Sequence, residues 1–120
     1  DRDLWRFDLT GTADVFAAVT SRPYTVEAWD EMMWLPIDRL LVEGRAINRW
    51  RDQLIEGCVA NAYEHTLFGH RVWVAAAPYA IGSDVAGILA KRNPTLFGAY
   101  YVDDGHGRKW GLRSGADGLD

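Results

Sequence analysis

Five polar positions stand out for the chemistry their types could perform. Asp1 and Asp3 flank Arg2 and precede Leu4-Trp5. Two carboxylates one residue apart are hard oxygen ligands of the kind that hold divalent cations, and equally an ordinary acidic, solvated segment. Arg113, followed by Ser114 near the far end, carries a planar guanidinium that can grip a phosphate bidentately in a fixed geometry, as lysine cannot. A solvent-facing strand arginine has the same local pattern. Ser83 with Asp84 reads as a helix N-cap, whose free N–H groups would favour an anion; a plain cap is the alternative.

Other polar residues form weaker patterns. His65, His70 and His106 match no zinc spacing, and with one cysteine, Cys58, neither a structural zinc site nor an internal disulfide is expected. Cys58 lies on a helical pattern and reads as a small apolar residue in a reducing compartment. His106 falls in a glycine-flanked turn, and Arg108 and Lys109 read as surface charge. No phosphate loop or dinucleotide fingerprint is present.

The elements that must position these groups follow from period and punctuation. Gly11-Thr12-Ala13-Asp14 suggests a threonine cap before a short helix, and Thr25, Trp29 and Met32 or Met33 recur at helical spacing after Pro23. Pro36 suits the first turn of a longer amphipathic helix of roughly 22 residues, with Ile37, Leu40, Leu41, Ile47, Leu54, Ile55 and Cys58 on one face. After Gly57 the period changes. Tyr63 to Leu67 and Arg71 to Ala76 read as strands around a Phe68-Gly69-His70 break, with both faces of the second apolar. A helix from Ser83 to Lys91, ended by Asn93-Pro94, separates them from strands at Phe97 to Val102 and Lys109 to Arg113, joined by an Asp103-Asp104-Gly105 turn.

The chain has 120 residues, 48% hydrophobic and 25% charged, within the usual range of one globular domain. A formal net charge of −4 disfavours a surface that holds long duplex DNA by broad phosphate neutralisation, yet allows a small phosphorylated ligand in one pocket. No apolar run approaches the ~20 residues of a membrane span, so no membrane partner is expected and the compartment expected is cytoplasmic.

Taken in order, Asp1 to Trp5, Tyr24 to Asp30, the Ser83 to Lys91 segment and Trp110 to Ser114 resemble the DHH phosphoesterase superfamily, in the branch with a DHH-associated domain that includes oligoribonucleases and nucleotide phosphodiesterases. DRDLW and WGLRS are the most specific parts. The chain departs from the family pattern in lacking the Asp-His-His triplet and any glycine-rich run ending in His. The resemblance therefore implies a C-terminal piece of a longer α/β protein, α+β within this segment. Residues 1–35 would be the helical end of the catalytic domain, 36–60 a linker helix, and 61–120 an incomplete, small mixed-sheet DHH-associated domain that binds substrate.

It further implies two Mn²⁺ ions in the complete protein, with Asp1 or Asp3 as a late ligand and Asp1 favoured. It places Arg113 at the substrate, with Ser114 and Ser83 beside it. The expected activity is hydrolysis of phosphodiester bonds in short oligonucleotides or small nucleotides, the isolated segment being inactive. The other readings are a non-catalytic nucleotide-binding module and a helix-mediated interaction module, with a homodimer through the long helix.

Overall fold

A computed structural model describes residues 9–92 and 97–115; Asp1, Asp3 and the Asn93-Pro94 stop lie outside them. The described residues form a mixed α+β structure of four helices and one four-stranded mixed sheet. The chain divides into two compact units, up to Asp52 and from Gln53 onward. The division falls inside the long helix.

In the first unit, α1 (Thr12–Thr20) and α2 (Val26–Met33) precede α3 (Ile37–Ala60). Gly11 is the N-cap of α1, in a left-handed conformation, and Thr12 is instead the first helical residue, its hydroxyl donating to Leu9 O at 2.7 Å. Thr25 does cap α2, accepting from the Ala28 amide at 3.2 Å. Ala18, Met32 and Leu40 form a small buried cluster with Val19 and Leu35 against it. Gly44 admits the α1 backbone, since a Cβ there would collide with the Asp14 carbonyl. Polar ties close the same contact: the Asn48 amide donates to Asp14 Oδ1 at 2.9 Å, and Arg22 bridges Ala18 O at 2.7 Å and Glu43 at 2.6 Å.

The second unit holds the sheet and the end of α3. β1 (Tyr63–Leu67) and β2 (His70–Ala76) form an antiparallel hairpin, then α4 (Tyr79–Ala90) crosses to β3 (Phe97–Asp103), which lies parallel to β2; β4 (Arg108–Ser114) returns antiparallel. Strand order equals sequence order. The first hairpin turns on Phe68 (φ 52°) and Gly69 (φ 80°), both left-handed, as a two-residue turn matching strand twist requires.

α4 begins five residues earlier than a cap at Ser83 implies. Pro78 occupies the N-cap position and the helix starts at Tyr79, so Ser83 sits in the second turn, its amide engaged within the helix. The reason is packing: starting at Tyr79 puts Ile81, Val85 and Leu89 on one stripe, and these bury themselves with Ile55, Ala75 and Ala77. The anion-binding helix start expected at Ser83 is therefore absent there.

Two glycines let α4 settle on the sheet. A Cβ on Gly98 would strike the Ala86 carbonyl and the Ala90 amide, so the helix backbone lies directly on β3. The Tyr100 ring occupies the space that side chains at Gly82 and Gly111 would need, so it wedges between helix and β4. The opposite sheet face carries Val72, Val74 and Ala99, buried under Leu67, Phe97 and Tyr101. Among the described residues, none of a helix belongs to that cluster.

Candidate functional site

Neighbours along a strand point to opposite faces. Arg113 pairs with Gly98, on whose side α4 lies, whereas Ser114 pairs with Phe97 on the other. Arg113 consequently runs along α4. Its Nη1 donates to Ser83 O at 3.2 Å and lies 3.4 Å from Ser83 Oγ, while its Cδ and Nε would sit 3.4 and 3.5 Å from a Cβ on Gly87. Ser83 and Gly87, one turn apart, form a shallow track for the side chain, and the absent side chain at Gly87 leaves it room.

Of the three substrate residues read from the sequence, the structure brings Arg113 and Ser83 together and sends Ser114 to the far face. Arg113 and Ser83 are both exposed, and among the described residues no carboxylate pairs with this guanidinium. The Nη1 bonds to the Ser83 carbonyl and hydroxyl leave Nε and Nη2, three of the five guanidinium N–H donors, for an incoming oxyanion. Hydrogen bonding to Ser83 restrains a long side chain in advance and so reduces the ordering cost of gripping a ligand.

The other basic residues of β4 are neutralised. Arg108 makes two hydrogen bonds to Asp103, Nε to Oδ1 at 2.9 Å and Nη2 to Oδ2 at 3.1 Å, and its guanidinium lies 3.9 Å over the Tyr101 ring. That bond lowers the Asp103 pKa below its ordinary value. Lys109 pairs with Asp104, whose carboxyl is also lowered, first by Lys109 and then by the amide of His106. His106 donates that amide at 3.0 Å and thereby shapes the turn.

Sequence reasoning missed the rings on the face away from α4. His65 and Trp110 lie nearly parallel, at 11° and 6.2 Å between centroids, and Trp110 reaches Tyr101 at 5.2 Å. A hydrogen bond with Tyr101 is the main cause of a raised Tyr63 pKa. Alternation along β1 and β4 was the available signal, but strand order was needed to read it.

Asp1 and Asp3 lie outside the described residues. Among those described, no group of three or more His, Cys, Asp or Glu could hold a metal ion, so these residues do not fit a manganese site. No helix among them is long and apolar enough to cross a membrane.

No protein-family model, curated protein or solved structure matches the chain.

Proposed function

We propose that this chain is the substrate-holding part of a metal-dependent phosphodiesterase acting on short oligonucleotides or small nucleotides, with Arg113 and Ser83 gripping a substrate phosphate. The observation that carries the reading is the Arg113 guanidinium, restrained by Ser83 along α4 with its Nε and Nη2 donors left for a ligand. A phosphate there would meet a planar, permanently charged fork plus a hydroxyl, the chemistry that orients a phosphodiester for attack. The resemblance of DRDLW and WGLRS to the DHH phosphoesterase superfamily supplies the reaction class. Under it, Asp1 or Asp3 remains the proposed manganese ligand, and no hydrolytic step is assigned to the described residues.

A nucleotide-binding module without hydrolysis of its own is the second reading, favoured because the described site consists of recognition groups alone. Calorimetric titration with a 5′-phosphorylated dinucleotide, with and without Mn²⁺, tests what both share. Metal-independent binding should weaken about ten-fold or more in Arg113→Ala, since a charge-assisted hydrogen bond contributes roughly 1.5–3 kcal/mol. Equal affinity in the folded variant would remove Arg113 from the site.

A further inference from the structure

The sheet face opposite α4 carries a connected set of rings that the Arg113 grip does not use. Register places Tyr63, His65, Tyr101, Trp110 and Arg108 on it together. His65 belongs to β1 and Trp110 to β4, at opposite margins of the sheet, so their near-parallel rings meet across its middle. Beneath this span Val74 and Ala99 are fully buried, with Leu67, Phe97 and Tyr101 packed against them. Tyr63 meets His65 edge-on at 6.2 Å, Trp110 leans on Tyr101, and Arg108 is pinned above Tyr101 by Asp103. Each ring is braced by another, yet Trp110 and Tyr63 remain 40% exposed.

Beside the rings lies a cavity of about 430 Å³. Tyr63 and Tyr101 line it together with the side-chain amides of Gln53 and Asn61, the latter also donating to Gly57 O at 3.1 Å. A near-parallel His65–Trp110 pair beside a pocket lined by Tyr63, Tyr101, Gln53 and Asn61 combines a stacking surface with hydrogen-bonding groups for a heteroaromatic edge.

We propose that this face binds the bases of a short single-stranded oligonucleotide, one base stacked on the Trp110–His65 pair and its neighbour held between Tyr63, Tyr101 and the amides of Gln53 and Asn61. Aromatic side chains on open sheets suit single strands because every base has a π face, which a duplex keeps inside its own stack. Arg108 is already neutralised by Asp103 and the chain carries a net charge of −4, so affinity must come from stacking more than phosphate neutralisation. That limits the ligand to a short strand.

This inference rests on the oligonucleotide reading above but uses the other face of β4. Trp110 and Arg113 stand three residues apart and point to opposite sides of the strand, which borders the sheet. A mononucleotide reaches one of them; a strand of several nucleotides curving over this border reaches both.

The test uses the full chain and a trinucleotide with a central 2-aminopurine, with and without a 5′-phosphate, read by quenching of the 2-aminopurine fluorescence. Quenching with both ligands is expected, with affinity at least ten-fold weaker in Trp110→Ala, mostly retained in Trp110→Phe, and reduced in Arg113→Ala for the phosphorylated ligand alone. Circular dichroism confirms the fold of each variant, and Trp110→Phe keeps the comparison valid if the alanine variant unfolds. Absence of quenching by the parent chain overturns the proposal, as does unchanged affinity in folded Trp110→Ala or complete loss in folded Trp110→Phe. Binding that needs Trp110 but ignores both the 5′-phosphate and Arg113 keeps the ring surface and sinks the phosphate grip. Binding that needs Arg113 but not Trp110 does the reverse.

Discussion

Gly98→Ala and Gly57→Ala add the same methyl group and should move stability in opposite directions. At Gly98 the new carbon meets the Ala86 carbonyl oxygen, the Ala90 amide nitrogen and Leu89 Cβ. The first two are helix backbone and cannot rotate aside, so α4 must lift from the sheet. Overpacking of this kind costs typically 1–3 kcal/mol, and main-chain obstruction argues for about 3. Replacing a strand-interior glycine returns about 0.5–1 kcal/mol of backbone entropy. The expected net loss is about 2 kcal/mol, or roughly 8–16 °C in Tm for a unit of this size.

Gly57, within α3, has nothing within 4 Å of the place a methyl group would take. Alanine there should gain about 0.5–1 kcal/mol through helix propensity alone. Thermal and urea unfolding followed by far-ultraviolet circular dichroism measures both. If Gly98→Ala fell within about 0.5 kcal/mol of the parent, the ordinary range of neutral surface changes, the direct seating of α4 on β3 would be refuted. The same lift would draw Ser83 away from Arg113, so Gly98→Ala should also weaken binding of the phosphorylated dinucleotide.

Leu89→Ala empties a fully buried site among Val85, Ala75 and Ile55 and should cost about 3 kcal/mol in urea unfolding; a loss below about 1 kcal/mol would contradict its central place. The Asp103 carboxyl, lowered by Arg108, contributes to stability above the ordinary carboxylate range and loses that contribution as pH falls through its lowered folded value. An NMR titration should therefore show its midpoint rising in Arg108→Ala, and an unmoved midpoint would discard the pairing. Tyr63, raised chiefly by its hydrogen bond with Tyr101, should ionise at lower pH in Tyr101→Phe, read from tyrosinate absorbance.

Where local pattern and packing agree, the chain's architecture is readable without coordinates. β1 spans Tyr63–Leu67, as the break at Phe68-Gly69-His70 indicates, and the long helix follows Pro36 because proline's fixed φ suits a helix start. Ser83 shows where local preference fails: serine is a favoured cap, but the Ile81-Val85-Leu89 stripe gains more by extending the helix back to Pro78. The same periodicity, counted backward from Leu89, contains that start. Arg113 is a candidate on its chemistry alone, whereas its separation from Ser114 follows from strand alternation once β4 is assigned. The His65–Trp110 pair was beyond reach, because rings distant in sequence meet only after four strands adopt one order and register.

Because strand order follows sequence order, the sheet of the described residues ends in β1 on one side and β4 on the other, each with an outer row of backbone groups outside this sheet's ladder. The two rims differ in their side chains. On β4, Arg108 and Lys109 are already paired with Asp103 and Asp104, and Arg113 donates to Ser83 of α4. β1 carries Tyr63, His65, Thr66 and Leu67 around a Glu64 already paired to Arg71. A further strand, from a second copy or another protein, has the outer backbone groups of either rim to pair with.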